Sequence, residues 1–207
     1  MSLCHETALM YCYETLHHEL EITKNPTRPA PDPSLTQLPG NLPLFITIYT
    51  HGSQKRLRGC IGTFGPKFDN FAVCLQKYVH QAAFCDTRFA PLSAQELQSQ
   101  DVTLSLNVLH SFENASRWDD WEIGTHGTTI YFEDASGRTR NATFLPSVAK
   151  DHGFSKEKAV DQLRKKAGGN AKYQGQEFYE HVRVERYQSS ARDLTYEEFL
   201  KRSNAAN

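Results

Sequence analysis

Leu57-Arg58-Gly59-Cys60-Ile61-Gly62-Thr63-Phe64 is the stretch from which the rest of the chain can be read. With Arg56 it makes a strand-like run, and residues 44–51 upstream make another; Gly52-Ser53-Gln54-Lys55 between them has the length and chemistry of a hairpin connection. In strand geometry Leu57, Gly59 and Ile61 point to one face, and Arg58, Cys60 and Gly62 to the other. The thiol is therefore expected away from the apolar face. A glycine weakens a strand interior, so Gly59 and Gly62 around one cysteine predict a bulge, or a place where backbone and ligand approach closely.

Upstream, Leu9, Cys12, Leu16 and Leu20 recur at three-to-four spacing, which predicts an amphipathic helix over residues 5–24. Residues 25–43 hold six of the nine prolines and read as a long surface loop inside the domain. Downstream, Phe68, Phe71, Ala72, Leu75, Val79 and Ala82 predict a second long helix ending near Cys85-Asp86. Ser93-Ala94-Gln95-Glu96 has the form of a capping box opening a short turn. Val102, Leu104, Leu106 and Val108 alternate with polar residues, the signature of a strand with one buried face. Further strands are expected at 128–133, 139–145 and 182–187, the first two joined by the turn Asp134-Ala135-Ser136-Gly137. Helices are expected at 156–166 and, after the box Thr195-Tyr196-Glu197-Glu198, at 196–203. Hairpins outnumber βαβ units, so the fold class is α+β, a mixed or antiparallel sheet with flanking helices. One domain is expected over 1–203, with a frayed tail at 204–207.

The chain has 207 residues with 23 Lys plus Arg against 24 Asp plus Glu, a net charge of −1 that supplies no global field for nucleic acid or an acidic membrane. The charge is nonetheless polarised: residues 86–134 hold two basic and nine acidic side chains, residues 135–192 twelve basic and six acidic. The five cysteines form no CxxC pair, and neither a leader nor an apolar run able to span a bilayer is visible. Reduced thiols and a soluble cytoplasmic or nuclear protein are expected.

Cationic Arg56 and Arg58 beside Cys60 favour thiolate over thiol, the form a nucleophile needs; a packed, structural cysteine is the competing reading. The other four cysteines fall on predicted helices or at their ends, where core packing is expected. His126 between Gly124 and Gly127 is the histidine best placed to serve as a general acid or base, or is simply a turn residue. Asp86 and Arg88 suit a charged pair near the end of the second helix, with Phe89 and Pro91 as apolar anchors. Arg58, Gly59, Gly62, Asp86 and Arg88 are thus the candidate ligand-binding residues, with Cys60 and His126 the catalytic candidates. There is no HExxH motif and no phosphate loop, so neither metal nor cofactor is expected. Arg164, Lys165, Lys166, Lys172, Arg183 and Arg186, with Tyr173 and Tyr187, suit a modest surface for phosphate and bases.

The eight-residue block resembles the signature of the AMMECR family, and further pieces agree in order: Asp86-Thr87-Arg88-Phe89-Ala90-Pro91, Ser105-Leu106 before Phe112-Glu113, Trp121 before Gly124-Thr125-His126-Gly127, Thr143-Phe144-Leu145-Pro146 before Val148-Ala149, and Arg186-Tyr187. The chain departs from the family pattern at Gly153-Phe154, where Gly-Trp is usual, and at residues 163–169. The resemblance implies an intracellular α+β domain of two lobes with a cleft beside the signature. It also implies a functional link to Memo-like and radical S-adenosylmethionine proteins, beside which related prokaryotic domains are encoded. It names no reaction. An enzyme or enzyme component acting through Cys60 on an anionic metabolite or nucleic acid, and a non-catalytic module binding a protein or RNA, are the two readings it leaves.

Overall fold

The computed structural model describes residues 4–22, 27–51, 55–99 and 101–205. In chain order these form α1 (His5–Glu19), α2 (Pro33–Thr36), β1 (Leu44–Thr50), β2 (Arg56–Thr63), α3 (Phe71–His80), a π-helical turn (Gln81–Cys85) and α4 (Ala94–Gln98). There follow β3 (Val102–Asn114), β4 (Gly127–Glu133), β5 (Thr139–Phe144), α5 (Pro146–Asp151), α6 (Lys156–Lys166), α7 (Gly175–His181), β6 (Arg183–Thr195) and α8 (Tyr196–Ala205). The strands follow the order β2-β1-β3-β6-β4-β5, with β1 antiparallel to β2 and β3, and β4 antiparallel to β5 and β6. The expected α+β class holds. No helix among the described residues is long and apolar enough to cross a membrane.

The chain divides into two compact units, one of Met1–Val108 with Ser190–Asn207, the other of Leu109–Ser189. In the first, the stripes of α1 and α3, including Leu9, Leu16, Phe71, Leu75 and Val79, bury with Ile46, Ile48, Leu104 and Leu106 from the strands. Tyr13 is fully buried, and its hydroxyl donates to the Leu194 carbonyl at 2.8 Å. In the second, Ala159, Val160 and Leu163 of α6 and Phe178 of α7 bury with Ile130 and Phe132 of β4 and Val184 of β6.

Several boundaries differ from expectation for local reasons. Helix α1 stops at Glu19 rather than near 24, because Glu21 takes a left-handed backbone (φ 54°) that cannot continue the helix; Thr23 and Lys24 lie outside the described residues. The hairpin connection 52–54 and the loop's first residues, 25 and 26, lie outside them too. The proline-rich stretch holds the short α2, capped by Asp32, whose side chain accepts from the Ser34 amide at 2.8 Å, and it buries Leu35. The second long helix begins at Phe71, where Asn70 accepts the Val73 amide at 3.1 Å, and finishes as the π-helical turn. α5, opened by Pro146, and α7, of seven residues around one buried Phe178, are too short to show a period. β3 and β6 run to thirteen residues each, well past the alternating segments that announced them. α8 continues to Ala205, two residues beyond its expected end.

Candidate functional site

β1 and β2 pair in regular register from Leu44↔Thr63 to Ile48↔Gly59, and then Tyr49 pairs with Leu57. Arg58 is therefore an extra residue on β2, a bulge. The bulge corrects one expectation. A slip of one residue moves a side chain to the opposite face, so Leu57 does not join Gly59 and Ile61 towards the core; it is 41% exposed. Cys60 does lie on the face away from the core, across from Thr47.

Both glycines of the signature answer to close approaches. A Cβ on Gly59 would lie 2.2 Å from the Ala82 carbonyl oxygen in the π-helical turn, and one on Gly62 would lie 2.3 Å from the Phe45 ring. Gly59 thus lets the helical segment seat directly on the strand. That seating delivers Asp86, which follows the π turn, to the outer edge of β2.

At that edge the Asp86 and Arg88 side chains take the place of a neighbouring strand. The Cys60 amide donates to Asp86 Oδ2 at 2.9 Å, and Arg88 Nη2 donates to the Cys60 carbonyl at 3.2 Å. Arg88 also grips Asp86 with two bonds, Nε to Oδ1 at 2.9 Å and Nη2 to Oδ2 at 2.6 Å. The hydrogen bonds from the Arg88 side chain, aided by the Cys60 and Arg88 amides, hold the buried Asp86 carboxyl well below the ordinary carboxylate range against the cost of burial. Arg58 is engaged likewise, its Nε and Nη2 reaching Glu96 at 2.5 and 3.0 Å. Both guanidinium groups lie over Phe89, 5.8 and 5.4 Å from its centroid. Of the expected positive setting, Arg58 is thus paired with a carboxylate and Arg56 is exposed, and the second arginine at this edge, also paired, is Arg88. Pro91 is exposed, and the apolar anchor of this loop is the buried Leu92.

The thiol looks onto a different set of groups. Thr47 Oγ1 donates to Cys60 Sγ at 3.3 Å. Thr47 is paired with Ser105, and Tyr49 with Thr103, on β3, so hydroxyls line this face of the sheet. Burial raises the Tyr49 phenol above its ordinary value, Lys55 opposing and Cys60 adding to the effect. Lys55 lies 4.1 Å from the Tyr49 ring centroid and donates to Asp193 at 2.7 Å. Burial pushes the Asp193 carboxyl up, but hydrogen bonds from Lys55 and Ser105 outweigh it and leave it below the ordinary value. His51 Nε2 meets Thr103 Oγ1 at 2.6 Å. Sequence reasoning missed Thr47, Tyr49, Lys55, Ser105 and Asp193. Alternation along β1 would have put Thr47 and Tyr49 on one face, a signal the sequence reading did not use, but nothing local announces Asp193, which comes from the far end of β6.

Arg58, Gly59, Cys60, Gly62, Asp86 and Arg88 all belong to the first unit, and His126 to the second. There its Nδ1 accepts the Glu122 amide at 3.0 Å and its own amide donates to the Glu122 carbonyl at 2.9 Å, which closes a turn and leaves Nε2 to carry the proton. Gly124 in this turn has a positive φ of 86°. Among the other cysteines, Cys12 and Cys74 are buried as expected, with thiols pushed up by burial, Cys74 to about 12. Cys4 and Cys85 are instead exposed at helix ends.

The remaining motifs of the second unit meet one another. Arg186 bridges Glu113, at 2.9 Å, and Asp120, at 2.8 Å. Tyr187 stacks on Phe112 at 5.1 Å, covers Gly127 and donates to the Phe144 carbonyl at 3.0 Å.

The AMMECR1 family model matches residues 9–192. An uncharacterised protein of Arabidopsis thaliana is 36% identical over 92% of this chain and 85% of its own length. An uncharacterised protein of Schizosaccharomyces pombe is 38% identical over 77% of this chain and 79% of its own. The crystal structure of an uncharacterised Pyrococcus horikoshii protein superposes with a TM-score of 0.66 over 91% of both chains at 18% identity, a likeness of fold.

Proposed function

The chain belongs to the AMMECR1 family, and from that premise we propose that it is an enzyme or enzyme component in which Cys60 acts as a nucleophile on an anionic metabolite or a nucleic-acid group. The observation that carries this reading is the way Cys60 is held. Its main chain is tied at N–H and C=O by Asp86 and Arg88, and its sulfur accepts a hydroxyl hydrogen bond from Thr47. A reactive atom held on a fixed strand, with a hydroxyl already aimed at it, is preorganised.

The roles follow from proximity. Arg88 Nη1 makes no hydrogen bond among the described residues, and its guanidinium is half exposed, so it offers a further donor to an anion beside the thiol. Tyr49 is a proton donor on the thiol's own face. Asp86, held ionised by Arg88, is a poor proton acceptor and is assigned to positioning.

Two observations favour the second reading, a non-catalytic module that binds a protein. Both arginines are already neutralised by carboxylates, and Leu57 and Phe64 present 41% and 39% of their surfaces on the same segment. Alkylation followed by mass spectrometry separates the two. Exposed Cys85 supplies the reference within the same molecule. The nucleophile reading expects Cys60 to alkylate several-fold faster than Cys85 at neutral pH despite its lower exposure, and Thr47→Val to slow Cys60 alone. A rate below that of Cys85 removes the nucleophile and leaves the binding module.

A further inference from the structure

A cavity of about 400 Å³ opens in the second unit among β4, β5, the α7 segment and the start of β6. Its size falls in the range of small-molecule sites, roughly 300–1,000 Å³. Buried Phe132 and Phe178 give it an apolar floor, their rings 5.5 Å apart and edge to face. Two pairs of π and cationic groups border it. The Arg183 guanidinium lies 3.8 Å from the centroid of Tyr131, its cross-strand partner, and Tyr173 stacks on His181 with centroids 3.9 Å apart and planes 16° off parallel. Glu133 also borders the cavity and holds Lys172 at 3.3 Å.

We propose that this cavity binds a nucleotide, taking the planar base on its aromatic surfaces and the phosphate on Arg183. The composition selects this chemistry. Flat π surfaces over an apolar floor suit a nucleobase, whose stacking needs no particular hydrogen-bond pattern. The Glu133 carboxylate can accept from a sugar hydroxyl or an exocyclic amine. A quaternary ammonium, the other common guest of aromatic surfaces, is disfavoured because Arg183, 3.8 Å from the Tyr131 centroid, and Lys172, 5.2 Å from that of Tyr173, would repel a third cation.

Titration of the full chain with AMP, GMP, CMP and UMP, read by amide chemical shifts, tests the assignment. Saturable shifts are expected at Ala171, Phe178 and Val182. Adenosine and ribose 5-phosphate should each bind more weakly than AMP, because each lacks one half of the recognition. Tyr173→Ala is expected to weaken AMP by about tenfold or more, and Tyr173→Phe, which keeps the ring and guards against a folding defect, to bind as the parent does. Arg183→Gln should abolish the advantage of AMP over adenosine. A tetranucleotide binding much more tightly than any mononucleotide would name a single strand as the source; equal binding would name the free nucleotide. No saturable shift at millimolar nucleotide, affinities untouched by both substitutions, or tighter binding of tetramethylammonium than of AMP would each overturn the proposal.

Discussion

Gly59 and Asp86 show how much of the signature's character rests on single atoms. Any Cβ at position 59 would lie 2.2 Å from the Ala82 carbonyl, and backbone cannot swing aside as a flexible side chain does. Gly59→Ala is therefore expected to destabilise the chain by about 1–3 kcal/mol, the usual cost of overpacking, and to loosen the Asp86 contact with Cys60. Denaturant unfolding and the protection of the Cys60 amide from exchange check both halves. Asp86 makes a pH prediction. Its folded carboxyl titrates below the unfolded value of about 3.9, so its contribution is complete above that value and is lost as pH falls towards the folded one. Between neutrality and pH 5 the difference in stability between parent and Asp86→Asn should stay constant, and below about pH 4 it should shrink. A difference independent of pH down to 2 would show that the carboxylate's charge is not what Arg88 and the Cys60 amide hold.

Strand β2 shows what periodicity can and cannot deliver. Its existence, its hairpin partner β1 and the placing of Cys60 away from the core were legible, because alternation and two glycines in one short run leave few other conformations. The position of the bulge was not. It falls at Arg58, a residue with no special backbone preference, and it is set by where the π-helical turn and Glu96 meet the strand. Glu96 also shows a local signal diverted by a tertiary one: Ser93 caps α4 as expected, accepting the Glu96 amide at 3.2 Å, but the Glu96 side chain goes to Arg58 and not back to Ser93. At Thr195 no such competitor intrudes, and the box closes both ways, Glu198 amide to Thr195 Oγ1 at 3.1 Å and Thr195 amide to Glu198 Oε2 at 2.9 Å. Thr195→Ala should cost about 1 kcal/mol, visible as a lower midpoint with an unchanged denaturant slope. The edge of β2 carries a second prediction. Asp86 and Arg88 occupy the outward amide and carbonyl of Cys60, as charged side chains commonly blunt an exposed strand. The double substitution Asp86→Ala with Arg88→Ala should let copies pair through this edge, giving an average mass by light scattering that exceeds the parent's and rises with concentration; a mass equal to the parent's at every concentration would refute the role of edge guard.

Over the whole molecule, the charge asymmetry, the α+β class and the alternating helical and strand segments could be read in advance, and the family resemblance announced two lobes, but where the core divides could not be read. It depends on β3 and β6, each of which passes from one unit into the other, between Val108 and Leu109 and between Ser189 and Ser190. Burial along β3 changes within the strand itself, from the buried Leu104, Leu106 and Val108 to the exposed residues 110–114, and the backbone irregularity there, a left-handed Ser111 (φ 54°), is announced by neither glycine nor proline. Two cores without a linker between them make a specific prediction for local stability. Phe178 is 1% exposed in the second core, edge to face with Phe132, and its loss in Phe178→Ala should cost about 3–5 kcal/mol. Leu75, fully buried in the first core, should cost about 2–5 kcal/mol when replaced by Ala. Opening energies in native proteins follow contiguous packed units. Hydrogen exchange in Phe178→Ala should therefore lose most protection at Ile130 and Val184 and keep more of it at Ile46 and Leu104, with the reverse pattern in Leu75→Ala. Equal losses at all four positions in both variants would mean that β3 and β6 weld the two cores into one cooperative body, and that the whole chain opens as a single domain.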